Sequence, residues 1–325
     1  MNVAILCSAH GFGHTGRQLA LAEALVAEGS RVRLYTAVPV ARFAEDAAGV
    51  EVIPWAIDVG IQQRDSVTED PEGTVERLAA VVTDAAIDRL AASLAGIDVA
   101  VVDIAPAALE ACRRAGVPAI AVGNFDWAWV YGHYPVLAPW VERWRAWQAP
   151  HDACFVGPGP GLFGFRSVRA FGVLGRRRAP VRVAETAVLV SFGGFGLAGV
   201  DTLLPRVDGV TWVLAAPMPA LDRPDVIHVA GVSYAALVAG ADAVLTKPGY
   251  GIYAEAAIAG TRLVWVHRGG FPEAPYLEAA MYGRGDEKVG ADGVAAALIR
   301  RLARPRPDAV ADDAAAGLAR AIGGG

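Results

Sequence analysis

Short apolar runs alternate with longer stretches of helical periodicity along the chain, a pattern typical of parallel sheets built from β-α-β units. The first series of predicted strands covers residues 2–7, 31–35, 50–53, 99–103, 117–122, 153–156 and 168–171. The second series covers residues 187–191, 211–214, 226–229, 243–245 and 263–266, before a helical pattern over 292–302. The pattern therefore predicts an α/β protein with two doubly wound, Rossmann-like domains.

A stretch rich in glycine, arginine and proline, residues 172–185, separates the two series and has little apolar periodicity. We predict an N-terminal domain over 1–176, a linker over 177–186, a C-terminal domain over 187–306, and a C-terminal helix or tail over 307–325. The basic cluster 176–178 in this boundary is expected to be a solvated surface turn. Ligand sites are common between such domains, so a cleft is also expected.

Composition narrows the class of protein. The chain has 325 residues, and 54% of them are hydrophobic, which is enough for two cores. Its formal net charge of -5 argues against a nucleic-acid partner. The cysteines Cys7, Cys112 and Cys154 have neither zinc nor disulfide-framework spacing. No signal peptide or membrane-spanning run is recognisable, so we expect a cytoplasmic protein.

The most distinctive motif follows the first predicted strand, where residues 8–17 read Ser-Ala-His-Gly-Phe-Gly-His-Thr-Gly-Arg. Its glycines spell the G-x-G-x-x-G of dinucleotide sites, but the second strand ends in Thr36-Ala37 where such a site needs an acidic residue. A histidine at the carboxyl end of a strand can instead act as a base. We therefore favour His14 as a general base, with a histidine bound to a local carbonyl as the alternative and His10 as a second candidate.

Polar residues at two other predicted strand ends belong to the same edge of the sheet. Asp103 can accept a hydrogen bond from the second ring nitrogen of His14, although it can equally cap the helix that begins near Pro106. The acceptor-side candidates, beside His10, are Asn124, Asp126 and Tyr131, which follow strand 117–122.

Two glycine turns in the second half, at 191–196 and 246–251, offer backbone N–H groups to phosphate. The candidate diphosphate ligands are Gly13, Phe192, Gly193, Gly194, Lys247, Gly249, Tyr250 and Gly251. Glu255 lies one helical turn beyond and can accept from ribose hydroxyls. The alternatives are tight strand-to-helix packing without a ligand for the turns, and a solvated helix face for Glu255.

The His14 motif and the segment 246–255 resemble the GT-B class of nucleotide-sugar glycosyltransferases. Separated segments in one order, 9–14, 123–131, 247–251 and 271–277, are similar to the glycosyltransferase-like N-terminal half of plant L-arabinokinases. The matching region ends before a sugar-kinase half, so the resemblance implies no kinase activity. The spacing Gly11-x-Gly13-His14-x-x-Arg17 also resembles nucleotide-sugar hydrolases of nonulosonic acid synthesis.

The resemblance implies roles for named residues. His14 acts on the acceptor, with Asp103 behind it, and the glycine turns and Glu255 hold the nucleoside diphosphate. Val232 and Tyr234 lie where related folds hold the base. Phe271 and Glu273 occupy the donor-sugar position, although Glu273 can also cap the next helix.

These observations predict an inverting, metal-independent glycosyltransferase that uses no cofactor beyond its nucleoside-diphosphate sugar co-substrate. The body of the chain has no D-x-D motif that could hold a divalent metal on the diphosphate. Lys247 and Arg268 are therefore expected to neutralise the charge of the leaving group. The alternatives are a nucleotide-sugar hydrolase and a non-catalytic nucleotide-sugar-binding protein. The expected partners are the donor and a small-molecule or saccharide acceptor.

Five of the eight tryptophans lie between Trp127 and Trp147, and Trp140, Trp144 and Trp147 share one helical face. Core packing is the favoured interpretation of this face. An apolar acceptor cleft or peripheral contact with a membrane is the alternative.

Overall fold

A computed structural model describes the chain except residues 9, 11, 65–67, 193–203, 217, 268–269, 312–313 and 324–325. The chain divides into two compact units. Unit 1 comprises Met1–Leu174 with Asp312–Gly325, and unit 2 comprises Gly175–Ala311. The division falls at Leu174, whereas the sequence predicted a domain end at 176 and a linker over 177–186.

Unit 1 is built on a parallel sheet whose strands lie in the order β3-β2-β1-β6-β7-β8-β9. Its strands are β1 (Asn2–Cys7), β2 (Arg31–Thr36), β3 (Val50–Pro54), β6 (Val99–Asp103), β7 (Ala119–Gly123), β8 (Asp152–Val156) and β9 (Ser167–Phe171). Val3 to Cys7 are fully buried, as expected for a central strand covered on both faces. A short antiparallel pair, β4 (Gln62–Gln63) and β5 (Glu69–Asp70), was not predicted.

The helices of unit 1 connect these parallel strands. They are α1 (Phe12–Ala27), α2 (Pro71–Val81), α3 (Asp84–Ser93), α4 (Pro106–Ala115), α5 (Trp127–Tyr131), α6 (Ala138–Gln148) and the C-terminal α11 (Ala314–Gly323). The last helix packs against α1, so the segment after 311 belongs to unit 1. Of the three tryptophans on α6, Trp144 is fully buried, which supports core packing there, while Trp140 and Trp147 are half-buried beside Arg143.

Unit 2 has a second parallel sheet, in the order β12-β11-β10-β13-β14-β15. Its strands are β10 (Ala187–Ser191), β11 (Thr211–Ala215), β12 (Val226–Val229), β13 (Ala243–Thr246), β14 (Arg262–Val266) and β15 (Glu287–Val289). Its described helices are α7 (Tyr234–Gly240), α8 (Tyr250–Ala259), α9 (Ala274–Gly283) and α10 (Val294–Leu302). The sequence missed β15, a half-buried strand of three residues at the sheet edge.

The prediction of two doubly wound, Rossmann-like domains is confirmed. In both sheets the strand order reverses beside the first strand, at β1/β6 in unit 1 and at β10/β13 in unit 2. Open α/β sheets bind ligands outside the carboxyl ends of the strands at such a reversal. None of the helices in the described part of the chain is long and apolar enough to cross a membrane.

Candidate functional site

The reversal point of unit 1 brings the predicted base and its predicted partner together. Cys7, the last residue of β1, pairs with Asp103, the last residue of β6, so both chain segments leave the sheet at one edge. Helix α1 begins at Phe12, which places His14 in its first turn. The Nδ1 atom of His14 lies 2.7 Å from Oδ1 of Asp103, and both side chains are buried. Asp103 does not cap α4, whose N-cap is Ala105 without a side-chain hydrogen bond.

Asp103 is the centre of a larger buried network that the sequence did not reveal. Arg17 donates from Nε to Oδ2 at 2.8 Å and from Nη2 to Oδ1 at 2.6 Å, and Gln18 donates to Oδ2 at 2.8 Å. Burial by itself raises the pKa of Asp103, but the charge of Arg17 and the hydrogen bonds from Arg17 and His14 lower that pKa below its ordinary value. The carboxylate is therefore held ionised in the interior.

The backbone next to Asp103 is strained in a way that fixes this site. Ile104 has a φ of 44°, a left-handed value rare for a β-branched residue. Gly123 at the end of β7 makes room for it, because a Cβ atom there would lie 2.2 Å from Cγ2 of Ile104. Strained residues of this kind often accompany functional sites.

A second set of contacts holds the loop that carries His10. Ser8 donates to Oδ1 of Asp58 at 3.1 Å and accepts from Nε1 of Trp127 at 3.2 Å. Gly60 has a φ of 58°, and a Cβ atom there would lie 2.4 Å from Cβ of His10. The half-buried His10 ring lies 5.0 Å from the Trp127 ring and 6.1 Å from that of His14, measured between centroids.

The predicted acceptor residues Asn124, Asp126 and Tyr131 are buried and have internal partners. Asn124 accepts from Nη1 of Arg17 at 2.6 Å, and the Tyr131 hydroxyl donates to the carbonyl of Gly60 at 2.5 Å. Asp126 caps α5 by accepting from the backbone N–H of Trp129 at 2.8 Å, and its other carboxylate oxygen accepts from the N–H of Phe163 at 2.8 Å. Burial raises the pKa of Asp126, and these N–H groups oppose that rise. These contacts give all three side chains a supporting position around the site.

The end of β2, where a dinucleotide site needs an acidic residue, carries the buried Thr36. Its hydroxyl lies 2.9 Å from that of Thr15 on α1 and accepts from the N–H of Val38 at 3.1 Å. The contact between the hydroxyls of Thr36 and Thr15 thus connects the end of β2 to α1.

In unit 2 the reversal point pairs Ser191 of β10 with Thr246 of β13, so both predicted glycine turns start from one edge. The hydroxyl of Thr246 donates to the carbonyl of Ser191 at 2.7 Å, and the hydroxyl of Tyr234 donates to that of Ser191. Gly249 is the N-cap of α8, Gly251 lies in the first turn of that helix, and Lys247 before them is half-buried. Gly193 and Gly194 lie outside the described residues, as does Arg268.

Glu255 is buried on α8, and its Oε1 atom accepts from Nε of Arg176 at 2.8 Å and also from Nη2. The solvated helix face considered for Glu255 is therefore wrong. The prediction of a solvated turn over 176–178 is also wrong for Arg176, which is only 8% exposed. Its guanidinium is buried because it neutralises the buried carboxylate of Glu255. Glycine and arginine composition could not show that pairing.

The remaining donor-side candidates differ in accessibility. Phe192 and Phe271 are buried, and Phe192 packs in the hydrophobic core of unit 2. Val232 is half-buried ahead of α7. Glu273 directly precedes α9 and is buried, but its side chain makes no capping hydrogen bond. Within the described residues no group of three or more His, Cys, Asp or Glu side chains is arranged to hold a metal ion.

Comparisons with known proteins agree with the fold. No protein-family model matches the chain. The L-arabinokinase of Arabidopsis thaliana is 28% identical over 301 residues, which are 82% of this chain but only 28% of that protein. The chain therefore spans less than a third of this relative's length.

Solved glycosyltransferases cover nearly the whole chain. The kitacinnamycin glycosyltransferase has a TM-score of 0.62 at 20% identity, covering 99% of this chain and 95% of that one. The spinosyn forosaminyltransferase SpnP has a TM-score of 0.64 at 16% identity, and the match covers 99% of this chain and 94% of that one. The glycosyltransferase VinC, solved with dTDP, has a TM-score of 0.59 at 15% identity, and the match covers 99% of this chain and 95% of that one. The predicted resemblance is thus confirmed, and the chain has the fold of the GT-B glycosyltransferases.

Proposed function

We propose that this chain is a glycosyltransferase that moves a sugar from a nucleoside-diphosphate sugar to a hydroxyl acceptor, with inversion at the anomeric carbon. The observation that carries the proposal is the buried 2.7 Å contact between His14 Nδ1 and Asp103 at the strand reversal of unit 1. A nucleotide-sugar reaction is favoured over other uses of a histidine because the chain resembles glycosyltransferases along its whole length.

The carboxylate of Asp103 can only accept, so the short contact assigns a proton to Nδ1 of His14. That leaves Nε2 with a lone pair for the acceptor hydroxyl. As the acceptor oxygen bonds to the anomeric carbon, its proton passes to Nε2. The bond from that carbon to the diphosphate oxygen breaks, and the nucleoside diphosphate leaves with the electron pair. Attack opposite the leaving group inverts the anomeric centre.

The second unit supplies the donor site in this proposal. In this proposal the backbone N–H groups at the start of α8 and the charge of Lys247 bind the diphosphate, and the carboxylate of Glu255, which Arg176 orients, accepts from the ribose. These groups stabilise the charge of the leaving group, so we propose that the reaction needs no divalent metal. Activity that a chelator abolishes and magnesium restores would contradict this part.

A donor panel with and without hydroxyl acceptors tests the reaction. We expect sugar transfer only when an acceptor is present, and His14→Ala should lower turnover by about 10²–10⁴-fold while donor binding measured by calorimetry persists. His133→Ala is the matched control, because that histidine is exposed on unit 1 and should leave turnover unchanged. Release of free sugar at full rate without acceptor would identify a hydrolase. Full activity of the His14 variant would refute the base.

A further inference from the structure

We propose that Arg17 is a positioning residue that keeps the His14–Asp103 pair electrically neutral, and so keeps the His14 ring uncharged and able to accept a proton. The inference rests on the proposed role of His14 as a base.

The geometry of Arg17 is that of a fixed, fully engaged guanidinium. Arg17 is 2% exposed, and its Nε and Nη2 atoms donate to the two carboxylate oxygens of Asp103. Its third nitrogen, Nη1, donates a hydrogen bond to Oδ1 of Asn124 at 2.6 Å. Asn124 in turn donates to the carbonyl of Pro158 at 3.2 Å. A planar fork of this kind matches a carboxylate in a way that lysine cannot.

Arg17 also approaches the histidine itself. Its Nη2 atom lies 3.0 Å from Nδ1 of His14, the nitrogen that donates to Asp103. With the ring uncharged, Arg17 and Asp103 cancel and the site carries no net charge. A second proton on His14 would place a positive ring against a positive guanidinium in a buried position, which is unfavourable.

Other titratable groups around the ring come from separate elements. His10 lies in the loop after β1, and its ring is 6.1 Å from that of His14. Asp58, from the segment after β3, reaches this region through the Ser8 hydroxyl. Burial raises the pKa of the Cys7 thiol well above its ordinary value, so Cys7 carries no charge. Arg17 and Asp103 are therefore the charges in direct contact with His14 among the described residues.

The test is the pH dependence of kcat/KM for sugar transfer. In Arg17→Gln the amide can still donate to Asp103, but the charge is gone, so His14 should protonate more readily. We expect the acidic limb of the profile to move up by about 1–3 pH units. In Arg17→Lys, which keeps the charge and loses the fork, kcat should fall while the acidic limb stays in place.

Two further variants keep the test decisive if Arg17→Gln does not fold. Gln18→Met removes a neutral hydrogen bond to the same carboxylate and should not move the limb. Arg17→Met removes the charge and keeps an apolar stem, so its limb should also move to higher pH. An unmoved limb in the Arg17 variants that lose the charge, or an equal movement in Gln18→Met, would overturn the role of Arg17. Loss of activity in His14→Ala would still support the base, so the two failures are distinguishable.

Discussion

The two sheets have the same parallel construction and the same kind of strand reversal, yet their carboxyl edges carry different chemistry. At the edge of unit 1, His14, Arg17 and Asp103 form a buried, charged and closely hydrogen-bonded network. At the described edge of unit 2, Ser191 and Tyr234 pair through their hydroxyls and a glycine turn opens a helix. A histidine oriented by a carboxylate suits proton transfer, while N–H groups at the start of a helix suit an anion.

Under the proposed function, this difference corresponds to a division of labour between the units. A base must be oriented to within a fraction of an ångström, and the fixed side chains and unusual backbone of unit 1 suit that requirement. A diphosphate has several oxygens and can be bound by backbone N–H groups and a flexible lysine. Variants in unit 1 should therefore affect turnover, and variants in unit 2 should affect donor affinity.

The largest effect is expected for Asp103→Asn. The variant leaves the Arg17 charge buried without its partner and no longer fixes the tautomer of His14. We expect turnover to fall by about 10²–10⁴-fold and the free energy of unfolding by about 3–5 kcal/mol. Steady-state assays and urea unfolding measure the two losses.

Asp152→Asn is the control for this variant. Asp152 pairs with Arg166, but that pair is exposed, so its loss should cost at most about 1 kcal/mol and leave turnover unchanged. Equal losses of unfolding free energy in Asp103→Asn and Asp152→Asn would show that the burial of Asp103 does not increase the cost of removing its charge.

Glu255→Gln tests the binding role of unit 2. With one carboxylate charge removed beside Arg176 and the proposed ribose site, donor affinity should fall by about tenfold, or about 1.4 kcal/mol. The kcat at saturating donor should stay near that of the parent, since His14 is untouched. Calorimetry with a panel of nucleoside diphosphates measures the affinity, and Glu278→Gln on α9 is the control. A fall in kcat with unchanged affinity would contradict the division of labour.

Gly123→Ala tests whether the edge of unit 1 is held rigidly. The new Cβ would press on Cγ2 of Ile104 and displace the residue next to Asp103. We expect a loss of about 1–3 kcal/mol in unfolding free energy, with reduced kcat. Adding Ile104→Ala removes the clashing methyl, so the double variant should lose less than the sum of the single variants. Strict additivity would show that the two residues do not press on each other.

The smallest effect concerns acid stability. The folded-state pKa of Asp103 lies below its ordinary value, so its contribution to stability is complete above about pH 4 and is lost as pH falls towards the folded pKa. The wild-type free energy of unfolding should fall more steeply below pH 4 than that of Asp103→Asn, by at most about 1.4 kcal/mol per pH unit.

Glu110 is the positive control for that measurement. Hydrogen bonds from Arg113 and Arg114 lower its pKa to about 2, against partial burial. Glu110→Gln should therefore also flatten the acid dependence while leaving turnover unchanged. Parallel curves for wild type and Asp103→Asn would contradict the ionised state of the buried carboxylate.

Much of the fold and part of the site could be predicted from local patterns. Apolar runs marked the long strands because buried parallel strands are apolar on both faces. Position at strand ends made Asp103 a candidate partner of His14, with capping of the next helix as an equal alternative that only the structure excludes. Asn124, Asp126 and Tyr131 were also found at the correct edge, but their internal hydrogen bonds involve partners distant in sequence, so their supporting positions could not be predicted.

The sequence by itself determined the two β-α series, the edges at which ligands gather, and the candidate base, because these depend on periodicity and strand order. Only the tertiary structure decided that Arg17 closes the His14–Asp103 network, that Gly123 accommodates Ile104, and that Arg176 neutralises Glu255. The contacts of Arg17 with Asp103 and of Arg176 with Glu255 join residues 86 and 79 positions apart, where charge balance and close packing select the partner. The spacing of residues along the sequence therefore does not predict these long-range partners.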